Sequence, residues 1–111
     1  MLFEFGDVVL VPFPFTNQTT SKQRPAVIVS TQTYARMRPD VVLMAITSQV
    51  RFPLGFADTL LADWENTHLL KPSVIKPVWA TLEQGLVIKQ LGKLSAADQE
   101  TLRHSIKQAI G

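Results

Sequence analysis

The sequence predicts a mainly β domain, small and barrel-like, that ends in one α-helix. Three observations lead there. Runs rich in Val, Ile and Leu recur between Gly, Pro and polar clusters, as at Val8–Val11, Ala26–Ser30 and Val41–Thr47, the pattern of short strands separated by turns. A helical period emerges only after Ser95. The chain has 111 residues, and at roughly 100–200 residues per domain this is expected to be one core in one domain, residues 1–111.

Taken in order, Gly6 and Asp7 lead into the first strand, Val8–Val11. Pro12 and Pro14 then alternate with Phe13 and Phe15; lacking an amide hydrogen for a ladder, these prolines mark a sheet edge or an exit from the sheet. Thr16 to Arg24 contains no apolar residue and is expected to be an exposed, mobile loop. Pro25 holds Arg24 extended, and Ala26–Ser30 forms the second strand. The third, Val41–Thr47, is apolar until Thr47, Ser48 and Gln49. Val50 to Asp58 mixes Phe52, Leu54 and Phe56 with Pro53 and Gly55, which suits a hairpin connection with an apolar tip. Shorter strands are expected at Thr59–Ala62, Ser73–Val78 and Leu86–Gln90. Ser95 and Asp98 read as a capping box with Asp in place of Glu, and Leu102, Ile106, Ala109 and Ile110 form the inward stripe of the final helix.

Composition excludes several chemistries. There is no cysteine, hence no disulfide, thiol nucleophile, iron–sulfur cluster or thiolate zinc site. With only His68 and His104, a histidine-held metal is disfavoured, and the expected cofactor set is none. No basic segment precedes an apolar one at Met1–Asp7, and no apolar run approaches the roughly 18 residues of a membrane span, so a soluble, cytoplasmic protein is expected. The net charge of +2 and pI near 9.2 permit an anionic partner without requiring one.

Two polar features stand out. Arg24, held extended beside a polar loop, presents a planar fork suited to phosphate; an arginine there also solvates strand ends or pairs with carboxylates. Thr47, Ser48 and Gln49 offer hydrogen-bonding groups where a central strand ends, although taken alone they read better as a polar strand cap. His68 and His104 are expected to be structural or solvated, Asp58, Asp63, Glu65 and Glu83 too scattered for a paired-carboxylate site, and Trp64 and Trp79 packed in the core or an interface. Arg36, Arg38 and Arg51 are possible members of a basic track, with a solvated surface as the default for each.

The blocks Gly6-Asp7-Val8-Val9, Pro12-Phe13-Pro14-Phe15-Thr16, Lys22-Gln23-Arg24-Pro25-Ala26-Val27-Ile28-Val29-Ser30, Ala45-Ile46-Thr47-Ser48-Gln49, Lys71-Pro72-Ser73-Val74-Ile75-Lys76 and Leu91-Gly92-Lys93-Leu94-Ser95 resemble, in order and spacing, those of the PemK/MazF toxins, the mRNA interferases of type II toxin–antitoxin systems. The resemblance implies an SH3-like (CcdB/PemK-type) barrel with a C-terminal helix, forming a homodimer that binds a cognate antitoxin and no membrane. It also implies metal-independent, sequence-specific cleavage of single-stranded RNA, with Arg24 and Thr47 catalytic and Thr20, Ser21, Lys22, Gln23, Ser48, Gln49 and Arg51 contacting RNA. The loop departs from the family's Gly-Ser-Glu-Gln-Ala-Gly stretch, having Thr19-Thr20-Ser21-Lys22-Gln23, so no role of that glutamate transfers and no general base is named. Attack by the substrate's own 2′-OH, giving a 2′,3′-cyclic phosphate and a 5′-OH, needs neither protein nucleophile nor metal. The competing expectations are a CcdB-like gyrase poison and an RNA- or antitoxin-binding module without cleavage.

Overall fold

A computed structural model describes residues 2–12 and 22–111. The strands are β1 (Asp7–Pro12), β2 (Gln23–Ile28), β3 (Asp40–Thr47), β4 (Thr59–Leu60), β5 (Val74–Glu83) and β6 (Lys89–Lys93), with helices α1 (Gln32–Met37) and α2 (Ala96–Ile110). The strands form one antiparallel sheet in the order β4-β5-β3-β2-β1-β6, curled into a half-barrel. The mainly β architecture with a C-terminal helix is as expected. Among the described residues no helix is long and apolar enough to cross a membrane.

Successive side chains of a strand point to opposite faces, and here both faces are covered. On one, Val9, Val11, Ala26, Ile28, Val41 and Leu43 pack with Phe3 and Leu82. On the other, Val8, Val27, Met44, Ile46 and Ile75 meet Leu61, Leu94 and Leu102. Double burial explains why these strands read as continuous apolar runs instead of alternating ones. Trp64 and Trp79 are half-buried against the second cluster.

The segment Phe13–Ser21, including Thr20 and Ser21 and most of the expected loop, lies outside the described residues. β1 ends at Pro12, and β2 begins at Gln23, so Arg24 belongs to the strand and not to a loop. β2 also ends at Ile28, before Ser30, whose Oγ accepts the Val42 amide at 3.0 Å. The helix α1 went unanticipated: Thr31 caps it through Oγ1, accepting from Tyr34 N at 3.1 Å, but it buries only Ala35, too little apolar pattern to register as a helical period.

Three strand boundaries move for identifiable reasons. β5 runs beyond Val78 to Glu83 because Pro77 falls in an irregularity: Ile46 faces Ile75 while Met44 faces Trp79, so the proline is carried in a bulge. β6 starts at Lys89 instead of Leu86, since Gln84–Leu86 makes a 3₁₀ turn in which Gln84 Nε2 donates to the carbonyls of Ala35 and Arg38, each at 2.9 Å. The 50–58 segment is not a hairpin connection, because β3 and β4 both pair with β5 and not with each other. Phe52 and Phe56 do lie exposed on it, at 72% and 74%.

The shortening of β4 has its cause in α2. Ser95 Oγ accepts the Asp98 amide at 3.1 Å, one half of the expected capping box. The Asp98 carboxylate does not reach back to Ser95; it accepts the amides of Ala62 and Asp63, each at 2.9 Å. Those amides therefore leave the ladder, and the expected strand Thr59–Ala62 stops at Leu60. Farther along the helix, Thr59 Oγ1 donates to Ser105 Oγ at 2.7 Å in a fully enclosed contact. Leu102 is wholly buried and Ile106 partly so, but Ala109 and Ile110 stay exposed, contrary to the expected stripe: Ile110 borders a surface groove with Tyr34 and Trp79 and does not enter the core.

Because Asp98 serves two amides of another segment while Ser95 serves one amide of its own helix, the two residues should differ in weight. Ser95→Ala is expected to cost about 1 kcal/mol, and Asp98→Ala about 3 kcal/mol, since it strands two partly buried N–H donors. Urea unfolding of the two variants measures the difference, and equal losses would contradict it.

Candidate functional site

The polar end of the sheet is built by strand register. β1 pairs with β2 so that Leu10 faces Pro25 and Val11 faces Arg24. β2 pairs with β3 with Ala26 opposite Ala45, Val27 opposite Met44 and Ile28 opposite Leu43. That ladder ends at the Ala26–Ala45 pair, two residues short of Arg24 on β2 and of Thr47 on β3. Alternation then puts both on the face that carries Ala26 and Ile28 from β2 and Leu43 from β3. An apolar face thus terminates in a row of Val11, Arg24 and Thr47.

The two polar members of this row have capacity to spare. Arg24 is half-buried, and its Nε is enclosed with no hydrogen-bond partner among the described residues. Enclosed N–H groups are nearly always satisfied, so an acceptor for this donor is expected, and a guanidinium suits an anionic oxygen. Thr47 Oγ1 accepts the Gln49 amide at 3.1 Å, which orients the hydroxyl and leaves its hydrogen to be donated elsewhere.

Around the row, Lys22 and Gln23 are exposed at the start of β2, and Ser48 and Gln49 are exposed where β3 ends. Arg51 follows in the same segment, also exposed. Lys22, Gln23, Ser48 and Gln49 flank one end of the antiparallel β2–β3 pair, while Thr20 and Ser21 lie outside the described residues. Arg36 and Arg38 do not join them. They sit on and after α1, at the opposite end of β2 and β3, where Arg36 bonds Gln32 at 3.3 Å and Arg38 lies 3.5 Å from Asp40.

The acidic residues are committed elsewhere or scattered: Asp58 is held by Lys76 and the Gly55 amide, both at 2.8 Å, and Asp63, Glu65 and Glu83 belong to other segments. Among the described residues no group of three or more His, Cys, Asp or Glu converges to hold a metal ion. His104 is exposed on α2. His68 is the residue whose position sequence reasoning missed: it lines a cavity together with Pro25 and Ser48, the neighbours of Arg24 and Thr47. Nothing in the sequence near His68 signals this, since the contact is made by chain segments far apart.

Comparison with known proteins agrees with the fold. The family described as PemK-like, MazF-like toxin of type II toxin-antitoxin system matches residues 4–110. An endoribonuclease in complex with its cognate antitoxin from mycobacterial species is similar in structure, with 19% identity and a TM-score of 0.80 over 98% of this chain and 95% of that one. MazF from Deinococcus radiodurans is similar at 19% identity and a TM-score of 0.75, over 100% and 98% of the two chains. The MazE–MazF structure from the same organism gives 19% identity and a TM-score of 0.77, again over 100% and 98%. At such identity the likeness is one of fold. No curated protein matches the chain.

The enclosed Arg24 Nε makes a prediction independent of any activity. On titration with inorganic phosphate, the Arg24 Nε–H resonance should move in ¹⁵N NMR spectra while those of Arg36 and Arg103 stay in place. Uniform movement of all three would mean only general ion atmosphere.

Proposed function

This chain belongs to the PemK-like, MazF-like toxin family, and from that premise we propose that it is an endoribonuclease that cuts single-stranded RNA without a metal. The observation that supports the reading is that Arg24 and Thr47 lie on one face at the same end of the adjacent strands β2 and β3, with the Arg24 Nε enclosed and without a described partner. In single-stranded RNA the 2′-OH of one nucleotide attacks the adjacent phosphorus, the bond to the 5′-oxygen breaks, and the ends are a 2′,3′-cyclic phosphate and a 5′-OH. Negative charge gathers on the non-bridging oxygens as the phosphorane forms. The Arg24 guanidinium stabilises that charge, and the Thr47 hydroxyl donates a second hydrogen bond to it. A sheet buried on both faces holds the pair rigid, as such stabilisation requires.

In this reading Lys22, Gln23, Ser48, Gln49 and Arg51 contact the RNA backbone or bases, as do Thr20 and Ser21, which precede Lys22 in sequence. The partners are a second copy of the chain and a cognate antitoxin, the latter by analogy with the mycobacterial endoribonuclease solved with its own. The exposed Phe52 and Phe56 supply apolar area for a protein partner.

One experiment separates this reading from its rivals. Purified protein incubated with a defined RNA in EDTA should leave 5′-OH and 2′,3′-cyclic phosphate ends. Cleavage only with added divalent metal would refute the metal-free mechanism. Growth arrest with intact RNA would point to a gyrase poison, and binding without cleavage to a module. In the same assay Arg24→Ala should lower kcat by about 10³-fold and Thr47→Val by about 10²-fold. Both variants should elute as the wild-type protein does on size-exclusion chromatography, at the size of a dimer.

A further inference from the structure

We infer that the cavity behind the Arg24–Thr47 row binds a single nucleobase of the RNA strand, next to the nucleotide that is cut, with His68 as its reading residue. The inference rests on the endoribonuclease reading above and adds to it a subsite on the reverse face of the sheet.

The cavity has a volume of about 230 Å³ and is lined by Leu10, Pro25, Ser48, His68, Lys71 and Leu91 among others. Leu10 and Pro25 are a cross-strand pair one position in from Val11 and Arg24, and by alternation their side chains point to the other face. Ser48 follows Thr47 directly. An RNA strand crossing the end of β2 and β3 at Gln23 and Ser48 therefore presents a phosphate to the front and the adjoining base to the back.

Three departures from regular geometry build this corner. The β1–β6 register shifts between Val8, opposite Gly92, and Val9, opposite Gln90, which leaves Leu91 out of the ladder. His68 ends the 3₁₀ turn Trp64–Thr67 in the left-handed region, at φ 57° and ψ 20°, where glycine or asparagine is the ordinary choice. A Cβ on Gly92 would come within 2.9 Å of the Thr67 Cα and 3.0 Å of the Asn66 carbonyl oxygen, so the turn lies directly on β6 only because residue 92 has no side chain. The Leu91 carbonyl, spared by the bulge, is taken by His68 Nδ1.

That bond defines the chemistry of the ring. A carbonyl oxygen only accepts, so Nδ1 carries the hydrogen, and in the neutral imidazole Nε2 is an acceptor. The exposed ring is thus held in one orientation with an acceptor at its far edge. Leu10, Pro25 and Leu91 supply apolar walls, Ser48 a hydroxyl, and Lys71 an exposed cation. A planar heteroaromatic ring with N–H groups on its edge and a phosphate tether matches this set, and histidine is one of the side chains on which unpaired bases stack. The cavity is smaller than the roughly 300 Å³ at which sites for drug-sized ligands begin, a size for one base and not for a folded peptide.

The test is a cycle between protein and substrate. RNA substrates carry an abasic nucleotide at each position flanking the cut in turn, and kcat/KM is measured for the wild-type protein, His68→Gly and His68→Asn, both of which accept the left-handed backbone. For the wild-type protein one flanking position should lose roughly tenfold on base removal. Both variants should lose a similar factor on intact RNA and nothing further at that position. A wild-type sensitivity that persists in both variants, or no sensitive position, overturns the inference while leaving the endoribonuclease reading intact. Should the wild-type protein cut no RNA, that reading fails, and the same cycle is then read in Kd by fluorescence anisotropy: non-additivity at one position supports the base site, and additivity or absence of binding overturns it.

Discussion

The pairing of β2 with β3 is the constraint on which the rest of the molecule depends. Both strands are buried on both faces, with Ala26, Ile28 and Leu43 committed to one core and Val27, Met44 and Ile46 to the other. A slip of either strand by one residue would send its side chains to the wrong core, and a slip of β2 would carry Arg24 to the helix side of the sheet. The register is therefore held by the full set of buried contacts along the strands, and the placing of Arg24 and Thr47 on one face at the polar end comes as its by-product. Residues at this end of the sheet take their rigidity from the cores behind them, and the Gln49 amide adds a hydrogen bond to the Thr47 hydroxyl.

The second core depends on α2, and α2 is tied down by buried polar contacts as well as by Leu102. Asp98 accepts two amides from the segment after β4, and Ser105 accepts the Thr59 hydroxyl. These bonds decide where that segment leaves the sheet, and so where the 3₁₀ turn Trp64–Thr67 comes to lie against β6. The chain of consequence runs from a helix N-terminus, through a shortened strand, to the position of His68. Gly92 completes it by allowing the backbone of the turn to approach β6.

Much of this architecture is legible in the sequence. Runs such as Val8–Val11 and Val41–Thr47 declare strands by their β-branched content, and Ser95 with the residues after it declares a helix. Less legible are features that depend on partners distant in sequence. Asp98 reads as a capping residue because its local spacing fits one, and only the approach of Ala62 and Asp63 makes it a clamp. Pro77 reads as the end of a strand until the longer β5 is seen to carry it in a bulge opposite β3. The helix α1 is too short and too exposed to leave a period, although Thr31 before it and Pro39 after it are cap and stop signals. Among the residues of the site, Arg24 and Thr47 stand out by type and position, while Arg36 and Arg38 look equally basic on paper and lie at the other end of the strands.

The fold class, the apolar strands, the final helix and the polar end of β3 follow from local propensity and from the alternation of side chains along single segments. Which polar groups meet is settled in three dimensions: Asp98 with the amides of Ala62 and Asp63, His68 with the Leu91 carbonyl, and Arg24 brought to the end of the β2–β3 pair where Thr47 lies. The physical reason is that such contacts are set by two cores closing at once on a shared sheet. Register, bulge and close approach are properties of that closure, and no segment carries them alone.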